Sequence, residues 1–225
     1  FQRLGATCAL VYNYPDRPFP VGAHLQPEVA TGPPEISDGG RRYVFTLRDD
    51  FRFSPPSDEP VTAEAFARAF ERALDPAINS YGATIARDIV GAREYRKGDA
   101  SGIAGLSADG QTLTIELVRP VPNFVERLSV PWFCSVPPDT PVREEGVDLI
   151  PSAGPYYVAS HDPNRSLVLR RNPNYGGDRP QGVEEIHYEI GVSSNRGAVE
   201  VEEGRADYVL LDPAGEDTPP DDLIA

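Results

Sequence analysis

Residues 51–76 read "FRFSPPSDEPVTAEAFARAFERALDP" and join a strand-like start to the strongest helix pattern of the chain. The apolar residues of the second half recur at the spacing of one helical face: Phe66, Phe70, Ala73 and Leu74. We predict that the Thr62 hydroxyl caps this helix and that Pro76, which cannot continue a helix, ends it. The stretch therefore predicts a strand, a proline-rich turn and a scaffold helix rather than a catalytic loop.

Two strands are predicted on either side of this unit, because apolar residues alternate there with a period of two. The alternating residues are Tyr43, Phe45 and Leu47 in the first segment, and Leu113, Ile115 and Leu117 in the second. Asp109-Gly110 predicts the turn that precedes the second strand. The sequence thus favours mixed α/β structure around the predicted helix.

The remaining segments give shorter predictions. We expect a helix end or strand over 1–14, an irregular connection over 15–40, a second helix over 83–95, and a short helix between Pro122 and Pro131. In the second half we expect a hairpin turning at 162–165, a strand over 183–190, and a helix from 193 that Gly204 ends, followed by a short strand.

Composition limits the function classes. The chain has 225 residues and a formal net charge of −14, which argues against nucleic acid as a partner because nucleic acids need a basic surface. No apolar run approaches the roughly 18 residues that span a membrane. The chain begins with Phe1 and contains no Met, so we expect a processed or truncated start. The absence of a visible leader therefore does not decide the compartment.

Cys8 and Cys134 are the two cysteines of the chain. Both lie in apolar, strand-like segments, which favours buried free thiols. In an exported protein the same two residues could instead form a disulfide bridge. The sequence leaves both alternatives open.

Patterns typical of catalytic and metal sites are missing. "GLSADG" at 105–110 departs from the nucleophile motif of serine hydrolases, and Lys97, the only lysine, is not part of a phosphate-binding loop. Glu184 and Glu185 are neighbours on a predicted strand and point to opposite faces. Three histidines are distant from one another in sequence: His24, His161 and His187. We predict no catalytic residues, no metal site and no cofactor.

Six segments in order resemble the family 5 extracellular solute-binding proteins, the oligopeptide, dipeptide and nickel receptors of ABC transporters. They are "RRYVFTLRDDFRFS", "EPVTAEAFARAFERALDP", "LSADGQTLTIELVRPVPNFVERLSVP", "SAGPYYV", "LVLRRNPNYGG" and "EGRADYVLL". The resemblance covers most of residues 30–212. The segment "FSPPSDEPVT" departs from it, because the family usually has a shorter Asp-Gly turn there.

The resemblance implies a periplasmic-binding-protein-like α/β fold of class II, present only in part. Residues 1–130 resemble the small extra α/β domain of that fold, and residues 131–212 resemble a segment of its first lobe. We expect residues 213–225 to be a frayed tail. The chains of the family are about twice as long, so this chain resembles a fragment.

The resemblance also implies a function. We expect a non-catalytic, monomeric protein, periplasmic or anchored outside the cell as a lipoprotein, that captures peptides or similar solutes for an ABC transporter permease. The alternative is a ligand-sensing module of a larger signalling protein. Tyr81 matches a ligand-facing tyrosine that follows the long helix in peptide-binding members. Trp132, near the expected crossing between lobes, is the second candidate for solute binding.

Overall fold

The computed structural model describes residues 6–14, 24–78, 80–143, 146–147 and 149–210. These residues form two units: the described residues up to 159 together with 169–186, and residues 160–168 together with the described residues from 187 onward. The strands are β1 Tyr12–Asn13, β2 Gln26–Pro27, β3 Glu35–Ser37, β4 Arg42–Thr46, β5 Leu106–Asp109, β6 Thr112–Glu116, β7 Tyr156–Asp162, β8 Ser166–Arg171 and β9 Glu185–Glu189. The helices are α1 Ala63–Leu74, α2 Gly82–Ile85, α3 Ala92–Arg96, α4 Phe124–Arg127 and α5 Ser194–Glu202, with a 3-10 turn, η1, at Pro131–Phe133.

Helix α1 is the predicted scaffold helix, and its apolar face is buried as expected: Phe66, Phe70, Ala73 and Leu74. The helix ends at Leu74, and Asp75 before Pro76 adopts extended backbone angles. The predicted hydroxyl cap is wrong, because the Thr62 side chain makes no capping hydrogen bond. Instead, the carbonyl oxygen of Gly110 accepts a hydrogen bond from the Ala63 amide at 2.9 Å, so the turn between β5 and β6 satisfies the first amide of the helix.

An antiparallel sheet in the order β3-β4-β6-β5 provides the other face of this core. Tyr43 of β4 pairs with Ile115 of β6, and Phe45 pairs with Leu113. All four side chains are buried, as the period-two pattern predicted, and α1 packs against β5 and β6. The expected turn is confirmed at Gly110, where a φ of 57° favours glycine.

Two predictions of local structure are wrong. The expected irregular connection contains β2 and β3 in its described part, while residues 15–23 lie outside the described residues. The expected helix over 83–95 is divided into α2 and α3, because Ile89 forms a β-bridge with Leu117 and Gly91 takes a φ of 80°. Tertiary pairing therefore overrides the helical pattern in this segment.

The favoured interpretation of Cys8 and Cys134 as free thiols is also wrong. The two residues form a disulfide bridge with a Cα–Cα distance of 5.2 Å, as the alternative for an exported protein allowed. The two segments lie side by side, since the Ser135 amide donates a hydrogen bond to the Ala9 carbonyl oxygen at 3.1 Å. The cysteines are 126 residues apart in sequence, so no local pattern could reveal this proximity.

The second half of the chain contains a three-stranded sheet in the order β7-β8-β9. The predicted hairpin turn is confirmed: the Arg165 amide donates to the Asp162 carbonyl oxygen at 3.0 Å, and Asn164 has a φ of 65°. Helix α5 begins after Ser193, whose hydroxyl accepts a hydrogen bond from the Arg196 amide at 3.3 Å. The strand expected after Gly204 is not found within the described residues up to 210.

Two tyrosines, the buried Tyr12 and the partly buried Tyr175, predict a loss of stability at alkaline pH. Burial raises the pKa of Tyr12, which is 4% exposed, and of Tyr175 to about 12. An unfolded tyrosine ionises near pH 10, as the usual value of about 10 implies. Because the folded pKa is the higher one, this contribution to stability is complete below about pH 10 and is lost as the pH rises towards 12.

The measurement is urea unfolding at several pH values from about 9 to 11. We expect the free energy of unfolding to fall with rising pH, and to fall less steeply in Tyr12→Phe. Tyr208→Phe, at an exposed position, is the control and should follow the wild type. An equal slope in Tyr12→Phe and wild type would contradict the assignment to Tyr12.

Candidate functional site

The two residues selected as candidates for solute binding lie together in the structure. The ring of Tyr81 contacts that of Trp132, with 5.5 Å between centroids and 55° between planes. Tyr81 is 64% exposed, whereas Trp132 is half-buried. We call this pair the aromatic platform.

Tyr81 is positioned by the turn that follows α1. The Asp75 carboxylate accepts a hydrogen bond from the Ala77 amide at 2.8 Å, which closes the turn after the helix. The Ser80 hydroxyl then accepts one from the Gly82 amide at 3.1 Å. These bonds turn the chain into α2, at whose start Tyr81 lies.

Gly82 allows the two rings of the platform to meet. A Cβ atom at this position would lie 2.9 Å from the Cβ of Trp132, closer than real Cβ contacts, and 3.0 Å from that of Ala73, tighter than most of them. The start of α2 can therefore approach both Trp132 and α1 only because residue 82 lacks a side chain.

Trp132 is held by its neighbours in the chain. Phe133 is buried and stacks on Phe70 of α1, with 4.4 Å between ring centroids. Cys134, the next residue, is bridged to Cys8. The backbone that carries Trp132 is thus attached to the core both by packing and by a covalent bond.

The platform offers ring faces rather than acid-base groups. Such faces bind aromatic, aliphatic or cationic parts of a ligand. Within the described residues, no group of three or more His, Cys, Asp or Glu side chains is placed to hold a metal ion. The arrangement is thus suited to binding, through contact with exposed aromatic surface.

A cavity of about 640 Å³ in the first unit was not anticipated from the sequence. Beside it lies Glu28, a buried carboxylate with three hydrogen-bond donors and one ion pair. Oε1 accepts from the Tyr175 hydroxyl at 3.0 Å and pairs with Arg179 Nε at 2.7 Å. Oε2 accepts from the Leu10 amide at 3.0 Å and from Asn13 at 3.4 Å. We call these five residues the Glu28 network.

The Glu28 network is best explained as a stabilising element of the fold rather than as a functional site. A buried carboxylate is stable when its lone pairs are occupied by donors and its charge is paired, and both conditions hold here. Sequence reasoning missed it because Tyr175 is 147 residues from Glu28. The one available signal was a glutamate beside the apolar pair Val29 and Ala30, which are buried.

Aromatic side chains are common in the lining of ligand sites, and the aromatic platform brings two of them together. The chain belongs to the bacterial extracellular solute-binding proteins of family 5, since the family model described as "Bacterial extracellular solute-binding proteins, family 5 Middle" matches residues 24–222. The family resemblance seen in the sequence is therefore confirmed. No described helix has the length and apolar character required to cross a bilayer.

Known proteins of this family share moderate identity with the chain. It is 28% identical over 162 residues to the "Probable deoxycholate-binding periplasmic protein YgiS" of Escherichia coli, with 68% of this chain and 30% of that protein covered. It is 30% identical over 151 residues to the "Oligopeptide-binding protein OppA" of Bacillus subtilis, with 63% and 27% covered. The chain thus spans about a third or less of the length of these relatives.

The solved structures agree on the fold. The substrate-binding domain of an oligopeptide ABC transporter from Bacillus anthracis superposes with a TM-score of 0.78 at 26% identity, over 96% of this chain and 41% of that one. This confirms the predicted α/β periplasmic-binding-protein-like fold, present in part. The domain boundary expected near residue 130 stays a prediction, and the tail at 213–225 lies outside the described residues.

Proposed function

We propose that this chain forms part of a non-catalytic extracytoplasmic receptor that captures peptides for an ABC transporter permease, and that the aromatic platform contacts the solute. The observation that carries the proposal is the exposure of Tyr81, 64% accessible although its ring contacts Trp132. An exposed aromatic residue on a fixed base costs little conformational entropy when a ligand binds.

Peptides are the solute class that we favour. The names of two similar proteins refer to oligopeptides, and that of a third refers to deoxycholate. Apolar ring faces would accept aliphatic, aromatic and proline side chains of a peptide, and also a steroid. The net charge of −14 disfavours anionic solutes and therefore weighs against deoxycholate.

The disulfide supports an extracytoplasmic location of the chain. Disulfides form and persist in oxidising environments outside the cytoplasm. The Cys8–Cys134 bridge therefore agrees with the extracellular family to which the chain belongs.

Calorimetric titration of the 225-residue chain tests the proposal, with trialanine, Ala-Phe-Ala, Ala-Pro-Ala and deoxycholate as probes. We expect at least one peptide to bind, and Tyr81→Ala to weaken it about tenfold or more, which equals about 1.4 kcal/mol. Trp132→Ala should have an effect of similar size. The matched control is Tyr208→Ala, because Tyr208 is also 64% exposed and lies in the second unit.

Three results would count against the proposal. Binding of no peptide would remove the solute-binding role from this chain. Tighter binding of deoxycholate than of every peptide would overturn the solute class. Equal weakening by Tyr81→Ala and Tyr208→Ala would show that the platform is not the contact surface.

A further inference from the structure

We propose that the Cys8–Cys134 disulfide is a positioning element of the solute site. It fixes the orientation of the indole ring of Trp132, a residue two positions before Cys134 in the chain. The role in solute binding rests on the proposed function, whereas the positioning of Trp132 can be measured without any ligand.

The Cys8 end of the bridge is anchored in the core. Cys8 is buried, and the Gly154 amide donates to the Thr7 carbonyl oxygen at 3.1 Å. A Cβ at Gly154 would lie only 2.5 Å from the Thr7 carbonyl carbon, so the two backbones are in direct contact. The Arg179 guanidinium of the Glu28 network donates to the Cys8 carbonyl oxygen. The backbone that carries the Cys8 sulfur is therefore held by Gly154 and by Arg179.

The Cys134 end carries Trp132 on a short turn. The 3-10 turn η1 comprises three residues, Pro131–Phe133. The Phe133 amide donates a hydrogen bond to the Val130 carbonyl oxygen at 3.1 Å, and the Cys134 amide donates one to the Pro131 carbonyl oxygen at 3.4 Å. Short 3-10 turns have poor hydrogen-bond geometry and little stability of their own. The Phe133 stack on Phe70 and the bridge at Cys134 therefore hold the backbone that carries Trp132, whose ring also contacts Tyr81.

Removing the bridge would leave the Phe133 stack and the hydrogen bond from Ser135 to Ala9 in place. The segment would keep its location but lose its covalent attachment, so the indole would sample more orientations. A solute would then have to order the side chain on binding. From the usual cost of ordering one such side chain, we expect affinity to fall about twofold to tenfold.

Trp132 is the only tryptophan of the chain, so incorporation of 5-fluorotryptophan gives a single ¹⁹F label at the site. We expect one narrow resonance in the bridged chain, and a broadened or divided resonance in Cys8→Ser/Cys134→Ser. Wild-type chain treated with a phosphine reductant, which keeps both sulfur atoms, should behave like the double variant. The spectra are recorded well below the unfolding midpoint of each form, after far-UV circular dichroism has established that it is folded.

A control variant separates positioning from stability. Leu169→Ala removes a fully buried side chain of β8 and lowers stability without touching the platform. Its ¹⁹F resonance should remain narrow and unshifted. Broadening in Leu169→Ala equal to that in the double variant would reduce the bridge to a general stabiliser, and an unchanged resonance in both bridge-free forms would overturn the proposal.

The effect of the bridge on solute affinity is measured by calorimetric titration with the tightest-binding of the three tripeptide probes. If the bridge acts through Trp132, its removal should weaken binding in the wild type but not in a Trp132→Phe background. Equal losses in both backgrounds would show that the bridge acts independently of Trp132. A changed resonance with unchanged affinity would confine the role of the bridge to the indole and refute its role in solute binding. If the serine pair does not fold, the reduced wild type gives the same comparison.

Discussion

Phe70→Ala is expected to lower the free energy of unfolding by about 3–5 kcal/mol, among the larger effects of a single core substitution. Phe70 is 1% exposed on the buried face of α1, and its ring stacks on Phe133 at 4.4 Å. The alanine would leave a cavity between α1 and the turn that carries Trp132. The same substitution should therefore loosen the base of the aromatic platform.

Urea unfolding monitored by circular dichroism measures this effect. Ile36→Ala is the control, because Ile36 is 56% exposed on β3, and surface substitutions of this kind change stability by about 0.5 kcal/mol or less. A loss below about 1 kcal/mol in Phe70→Ala, where burial predicts several, would contradict the packing of α1 against η1.

Opening the Cys8–Cys134 bridge is expected to have an effect of comparable size. The cysteines are 126 residues apart, and the chain-entropy estimate for so long a loop is about 4–5 kcal/mol. Measured losses for removal of native disulfides extend from about 2 to 5 kcal/mol. We therefore expect the urea midpoint of the reduced chain to be clearly lower than that of the oxidised chain.

A thiol titration under denaturing conditions accompanies this experiment. No free thiol should react before reduction, and both cysteines should react afterwards. Cys8→Ser/Cys134→Ser is the control, since a reductant should not change its unfolding curve. Two reactive thiols in the unreduced chain, or equal midpoints with and without reductant, would contradict the bridge or its contribution to stability.

The elements that the sequence predicted well are those specified by local patterns. Helix α1 follows from a continuous apolar face and from Pro76 after its end, and β4 and β6 follow from strict alternation. Their burial also follows, because an amphipathic helix and a one-sided sheet must each bury their apolar face against another element.

The elements that the sequence predicted poorly depend on distant partners. The Gly110 carbonyl oxygen accepts from the first amide of α1 while the Thr62 hydroxyl makes no cap, which no local pattern encodes. The bridge from Ile89 to Leu117 interrupts an otherwise helical segment. The disulfide and the Glu28 network likewise join residues that are more than a hundred positions apart.

In the candidate site, too, the residues could be selected from the sequence but their contact could not. Resemblance to a family selected Tyr81, and a position near the expected crossing between lobes selected Trp132. Their contact required α2 to approach Trp132 across Gly82, which only the folded chain reveals. Solute contact by either residue stays a prediction.

A crystal structure of the chain with the tightest-binding peptide probe tests the central claim most directly. We expect peptide atoms within about 4 Å of the ring atoms of both Tyr81 and Trp132, the distance at which apolar groups are in contact. A peptide bound in the cavity beside Glu28, or anywhere that leaves both rings uncontacted, would contradict the account.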